Sequence, residues 1–329
     1  MDIPELTQEI ESIAAQRQAR LQADAARTQG RHLVTKERNR YQGVRVTPVT
    51  YIYPDYFSPT SQWSRALDAV PTVDWVLINP ASGPGETPNS DYQAQAARAR
   101  AGGALVMGYI STSWGTVDPA SVRSQVTRHL DWYGVDGLFL DEGVSGWQAD
   151  DTLTAYYEDL YAWVQSAHPG LTVTTNPGAA STSRVLRAAD IVVTYENTAA
   201  VYLATAEADL QPAHYLTEPR AKFWHLIHGV TDRAQAEAVL EKAQGLHVGH
   251  VYLTDDALPN PWDRLPAGWL WDLQVQSAGS PVPNPSVGSA TVPASATAPG
   301  TPGDVAYDAT HLYVCVAANS WRRSPLTSW

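Results

Sequence analysis

Eight short apolar runs, each with a polar residue at or near its C-terminal end, constrain this chain more than any other feature. They are VTYIYP (49–54), WVLINP (75–80), LVMGYIS (105–111), GLFLDE (137–142), TVTTNPG (172–178), IVVTYEN (191–197), FWHLIHG (223–229) and HVYLTDD (250–256). Runs of this length that stay apolar on both faces read as strands of a parallel sheet. The gaps carry helix signals. Asp151 is placed to cap a helix with the stripe Leu153, Tyr156, Tyr157, Leu160, Tyr161 and Val164, closed by HPG. Asp232 with Gln235 forms a capping-box pattern that opens RAQAEAVLEKAQG and ends at Gly245.

Strand–helix units repeated eight times over about 230 residues match an α/β fold of the (β/α)8, or TIM, barrel type. The alternative is an open doubly wound sheet. Its first turn would carry glycines for a phosphate, whereas the turn here reads YPDYFSPTS.

In such a barrel each strand is packed on both faces and opens at its C-terminal end into the cleft where chemistry sits. That explains why GLFLDE, greasy through Leu140, stops on two carboxylates, Asp141 and Glu142. Tyr53, Asp55, Asn79, Tyr109, Ser111, Asn176, Glu196, His228 and Asp255 also fall at strand ends. Alternation of side chains places Phe139 and Asp141 inward and Leu138 and Leu140 outward. It places Thr194 and Glu196 inward, Val193 and Tyr195 outward, and Asn176 beside Thr174. Asp141, Glu142 and Glu196 are therefore expected to share one cleft. Paired carboxylates across an aromatic cleft are what glycoside hydrolysis requires: one protonated to assist the leaving oxygen, one ionised to attack carbon or activate water. Crowding of like charges raises one of their pKa values.

Composition agrees. Twelve Trp and sixteen Tyr against three Phe favour rings with a polar tip, suited to wet clefts and sugar faces. A net charge of -12 with no long Lys/Arg run excludes a phosphate-tracking nucleic-acid binder and fits a neutral or cationic partner. No apolar stretch is long enough to span a bilayer, and the start, MDIPELTQEIESIAAQ, lacks a signal-peptide pattern, so neither membrane insertion nor signal-peptide export is expected. Cys315 is the only cysteine, which rules out an intramolecular disulfide and a cysteine zinc site. His225 and His228 have odd spacing, so only one can face the axis. No metal set or cofactor motif is expected.

The flanks differ from the barrel. Residues 1–42 carry Ile3, Leu6, Ile10 and Ile13 at heptad spacing and read as a helix that needs partners, either an oligomerising stalk or an amphipathic helix packed on another surface. Residues 277–303 form a Pro/Gly/Ser/Ala/Thr-rich linker. Residues 304–329 read as a small β-hairpin module, VAYD paired with HLYVCVAA, followed by an aromatic tail. The barrel occupies 43–276.

The ordered set YIYP, INP, GYIST, GVDGLFLDE, TNPG and VVTYEN resembles the spherulin 4 family, classed as glycoside hydrolase family 135 and related to family 114. The resemblance implies a (β/α)8 barrel that cleaves internally in α-1,4-linked galactosamine or N-acetylgalactosamine polymers. It implies Asp141 as nucleophile or stabilising carboxylate, Glu196 as general acid/base and Glu142 as an assisting acid. Tyr53, Asn79, Tyr109, Asn176, Trp224, His228 and Asp255 would line the substrate groove. The C-terminal GDVAYDATHLYVCVAANSWRRSPLTSW resembles the terminal module of bacteriophage tail and minor tail proteins. That likeness implies a virion tail component acting on a glycan of the host cell surface, with other tail proteins as partners and a homo-oligomer, a trimer above all. Two rival expectations are a receptor-binding tail protein whose barrel holds sugar without cleaving it, and a structural adaptor in which the barrel is a spacer.

Overall fold

The structure, a computed structural model, describes residues 44–147, 151–279, 292–300, 305–307, 310–317 and 319–325. The helix expected over 1–42 lies outside the described residues. The chain divides into two compact units, 1–279 and 280–329.

The first unit is built on one eight-stranded sheet: β1 (Arg45–Val46), β2 (Trp75–Ile78), β3 (Leu105–Ser111), β4 (Gly137–Asp141), β5 (Thr172–Thr175), β6 (Ile191–Thr198), β7 (Phe223–His228) and β8 (His250–Leu253). Neighbours in the sheet follow chain order, β1 returns to pair with β8, and every pairing is parallel. The sheet curls into a barrel-like form: β1 and β2 at its edges share no ladder, and an isolated bridge joins Val46 to Val73, two residues before β2.

The first strand corrects the sequence reading. VTYIYP forms no ladder; the strand sits at 45–46. Pro48 has no N–H to donate, so the ladder stops before it. Beyond that point the Thr50 hydroxyl substitutes for the backbone: it donates to the Leu77 carbonyl at 2.6 Å and accepts from the Leu77 N–H at 2.9 Å. The other seven runs are strands where expected.

β2, β5, β7 and β8 are buried at every position, as strands covered on both faces must be. Tyr109, Phe139 and Trp224 fill the barrel interior, with Phe139 6.3 Å from Tyr109 and 5.6 Å from Trp224 between ring centroids. Outside, Val192, Phe223, Ile227, Val251 and Leu253 form a separate apolar cluster with Ala236, Val239, Leu240 and Ala243. Those four line the buried face of α1 (Arg233–Gly245), whose N-cap is Asp232, accepting from the Gln235 N–H at 2.9 Å. Asp151 is the first residue of helix α2 (Asp151–Ala167), which buries Tyr157, Leu160 and Val164.

β6 departs from the expected alternation. Its register against β7 slips between Val193 and Tyr195, leaving Thr194 as an extra residue. Val192 packs outside against Ala236 and Val239, so by alternation Val193 faces in, contrary to expectation. Tyr195 faces out, with its ring 4.8 Å from Tyr202. Glu196 then pairs with interior Leu226. Strict alternation from Val193 would have turned Tyr195 to the axis and Glu196 away. The bulge is what aims Glu196 inward.

The second unit is a three-stranded antiparallel sheet of β9 (Val305–Tyr307), β10 (His311–Ala317) and β11 (Ser320–Pro325), in the order β11-β10-β9. The expected hairpin has a third strand, drawn from the segment read as an aromatic tail. Its apolar signal is one buried residue, Trp321, before exposed Arg322 and Arg323. Part of the expected linker belongs to this unit: the Trp321 indole donates to the Ala298 carbonyl at 3.1 Å, and Gly300 exchanges bonds with Asn319. At the linker's other end, helix α3 (Gly268–Gly279) runs past the expected boundary at 276.

Candidate active site

Three strand ends bring the chemistry together. β4 ends on Asp141, β6 carries Glu196, and Asn176 follows β5 between them. The Asn176 side-chain nitrogen donates to Asp141 Oδ1 at 2.8 Å and to Glu196 Oε2 at 2.7 Å. Because both bonds leave one nitrogen, Asp141 Oδ1 and Glu196 Oε2 lie no more than about 5.5 Å apart, close enough for both acids to address one glycosidic bond. The Asn176 Oδ1 accepts from the Gly178 N–H at 3.0 Å, which fixes the amide with its nitrogen toward the acids.

The remaining oxygens are also held. Tyr109 donates to Asp141 Oδ2 at 2.8 Å, and the Trp262 indole donates to Glu196 Oε1 at 3.1 Å. Glu142 accepts from the hydroxyls of Ser111 and Ser113. Its backbone is left-handed, with φ 55°, an unfavourable region for a residue with a Cβ. The Glu142 carbonyl is tied down by the Trp114 N–H at 2.7 Å and the Tyr157 hydroxyl at 3.3 Å. Next in the chain, Gly143 packs so closely on β5 that a Cβ would stand 2.6 Å from Thr175 Oγ1 and 3.1 Å from the Asn176 carbonyl carbon, so only glycine fits there.

Among the described residues, no Lys or Arg forms an ion pair with any of the three acids. Burial therefore dominates. It pushes Asp141 above the usual carboxylate range, reinforced by the neighbouring Glu142 charge and opposed by donors from Tyr109, Asn176 and the Glu142 backbone. It pushes Glu196 up as well, with Asp141 adding to the rise and Asn176 and Trp262 opposing it. Two half-buried carboxylates with raised pKa values and neutral donors can exchange a proton with a substrate.

A family model for spherulin 4, described as spherulation-specific family 4, matches residues 46–275. The chain belongs to the spherulin 4 family. It is 26% identical over 221 residues to spherulin-4 of Physarum polycephalum, covering 64% of this chain and 64% of that relative's length. Sph3 of Aspergillus clavatus, crystallised in complex with GalNAc, superposes with a TM-score of 0.59 at 23% identity, over 71% of this chain and 98% of that one. At that identity, what the two share is the fold.

Within this spherulin 4 barrel the residues anticipated from sequence divide. Asp141, Glu142, Glu196, Tyr109 and Asn176 converge. His228 is buried at the same mouth, its ring 6.2 Å from that of Trp262. Among the described residues, four others make no hydrogen bond to the three acids. Tyr53 is exposed and donates to Asp91 at 2.7 Å. Asn79 shapes its own loop by accepting from the Gly83 N–H at 3.0 Å. Trp224 is 1% exposed inside the barrel, because it is the second residue of β7 and sits at the far end from the mouth. Asp255 is taken up by Arg264 at 3.0 Å and the Ala267 N–H at 3.2 Å. His225 faces outward and shares a hydrogen bond of 2.9 Å with the Tyr202 hydroxyl, so the two histidines do not converge.

Two site residues escaped the sequence reading. Tyr51 stands edge-on to Tyr109 at 5.3 Å, and burial together with the charges of Asp141, Glu196 and Glu142 raises its hydroxyl pKa. It is two residues before Tyr53, and the misplaced first strand hid it. Trp262 lies in NPWDRLP after β8, where a large aromatic in a proline-rich loop at the active end was the available signal.

Proposed function

We propose that this chain is a glycoside hydrolase that cleaves within a polysaccharide with retention of configuration. The observation that carries the reading is Asn176 binding one oxygen each of Asp141 and Glu196, which brings those oxygens within about 5.5 Å, the short approach that retention needs, at acids that no Lys or Arg pairs with among the described residues.

The roles follow from the donors. Asp141 accepts from Tyr109, Asn176 and the Glu142 backbone, three donors that favour its ionised form, so it acts as nucleophile on the anomeric carbon. Glu196 accepts from Asn176 and Trp262 and lies beside the Asp141 charge, so it is the better proton carrier. It protonates the leaving glycosidic oxygen as the Asp141–carbon bond forms. It then takes a proton from the water that attacks that carbon and releases Asp141. Glu142, held by Ser111 and Ser113, assists by placing a further carboxyl group beside Asp141.

For substrate we infer an α-1,4-linked galactosamine or N-acetylgalactosamine polymer. Family membership, the GalNAc bound by Sph3 and the acidic surface support it. Carriage on a virion tail, with oligomeric assembly and action at a host surface, rests on the sequence likeness of the flanking segments.

The test is reducing-end release from α-1,4-galactosaminans and host-envelope polysaccharides. Asp141→Asn and Glu196→Gln are each expected to lose at least about a hundredfold. No release by the unaltered protein, with glycan binding intact, would overturn the hydrolase reading and leave a binding protein.

A further inference from the structure

Five aromatic rings of the first unit are exposed among the described residues: Tyr53, Phe57, Trp114, Trp147 and Trp269. All five lie in segments that leave the C-terminal ends of strands: two after β1, one each after β3 and β4, and one at the start of the helix after β8. Scattered exposed apolar residues need no explanation, but rings confined to the end that carries the acids do.

Trp114 is the most informative of them. It is 57% exposed, and it stands in left-handed backbone at φ 56°, between Ser113 at 43° and Gly115 at 80°. If only the turn mattered, glycine or asparagine would adopt this conformation more easily than an L-residue with a large side chain. The turn is firmly held: the Trp114 N–H binds the Glu142 carbonyl at 2.7 Å and the Gly115 N–H binds the Thr112 carbonyl at 3.0 Å. The ring is therefore presented to solvent on a turn whose backbone is bonded to Glu142, and its left-handed conformation carries a cost. Trp147 is 64% exposed, and its indole N–H is fixed to the Ala180 carbonyl at 2.7 Å. Ala180 belongs to the loop after β5 that also carries Asn176 and Gly178, so this ring too is tied to the segment that holds the acids.

Building on the hydrolase reading, we propose that Trp114 and Trp147 are stacking platforms for sugar residues beyond the cleavage point, so that the site grips several units of a polymer. The apolar C–H face of a pyranose covers an indole ring, while its hydroxyls stay hydrated or meet polar groups nearby. A site built for a terminal sugar alone would have no use for rings held outside the acid pair.

The experiment uses the full chain disabled by Asp141→Asn, with binding followed by tryptophan fluorescence for α-1,4-linked galactosamine and N-acetylgalactosamine oligomers from disaccharide to octasaccharide. Affinity should rise with length. Adding Trp114→Ala or Trp147→Ala should flatten that rise, with a loss of roughly tenfold for the longest oligomer and little for the shortest. Trp114→Tyr should restore most of it. Trp114→Gly should bind as poorly as Trp114→Ala while keeping or raising the melting temperature, which separates a ligand platform from a structural residue. Length-dependent binding that both alanine variants leave unchanged would overturn the platforms and spare the hydrolase reading. Binding of no oligomer at any length would overturn the platforms together with the galactosaminan substrate, while reducing-end release from another glycan would keep the hydrolase reading.

Discussion

β4 and β8 end alike in sequence and differently in fact. GLFLDE and HVYLTD each take an apolar strand into a pair of acids or an acid step, Asp141 with Glu142 in one and Asp255 with Asp256 in the other. At β8 a cation answers them: Arg264 contacts Asp255 at 3.0 Å and Asp256 at 2.7 Å. At β4 the acids meet only neutral donors, namely Tyr109, Asn176 and two serine hydroxyls. Arginine neutralises its pair and ties the β8 loop together. Amides and hydroxyls orient the β4 acids but leave their charge uncompensated, so burial raises Asp141. An apolar run ending in carboxylates marks the mouth of a barrel, and the partner decides whether those carboxylates are structural or chemically active.

The contrast predicts effects of decreasing size. The largest comes from Asn176→Ala, which removes the group shared by Asp141 and Glu196. We expect kcat/KM on the polymer to fall by about 10–100-fold. Because the amide lowers both acid pKa values, its loss should also move the acidic limb of the pH–rate profile to higher pH. A fall in rate with an unmoved limb would mean that Asn176 only positions substrate.

A smaller effect concerns stability. A carboxylate whose folded pKa is raised binds more protons in the native than in the unfolded state between the two pKa values, so stability falls as pH rises through that window. The penalty is fully present above the folded pKa and absent below the unfolded one. Asp141→Asn, which removes the buried charge, should therefore melt a few degrees above the unaltered protein at neutral pH, and the gap should close as pH falls into the carboxylate range. Calorimetry over a pH series checks this, and a gap that widened on acidification would reverse the assignment.

The smallest effect belongs to β8. Arg264→Ala breaks pairs whose members are partly exposed, which should cost about 1 kcal/mol or less and leave turnover within a few-fold. A loss of activity as large as that of Asn176→Ala would erase the distinction between the two strand ends.

Much of the site was legible in the residues themselves. Asp141, Glu142 and Asn176 stand just where an apolar run gives way to polar residues, and Tyr109 shares a face with Met107, two residues before it on the same strand. Glu196 was assigned the right direction for an incomplete reason, since the alternation that pointed it inward also pointed Val193 outward, and the bulge at Thr194 reconciles the two. Trp224 was misjudged as a groove residue although its place near the start of β7 already located it deep in the barrel. Asp255 meets Arg264, a pairing the sequence left unread because nothing local distinguishes an aspartate that will meet an arginine from one that will not. Tyr51 was hidden by the consequences of Pro48, and Trp262 reaches Glu196 from 66 residues away.

By itself, then, the sequence determined the number of strands in the first unit, seven of their positions, their order and the polar character of one barrel end, because those depend on period-two patterning and on which residues tolerate burial. Only the tertiary structure decided which acids meet an arginine and which meet an amide, where β6 gains a residue, and how near Asp141 comes to Glu196. Those properties depend on contacts such as Asn176 with Asp141, 35 residues apart, and no local pattern encodes a distance between two strands that meet only once the barrel has closed.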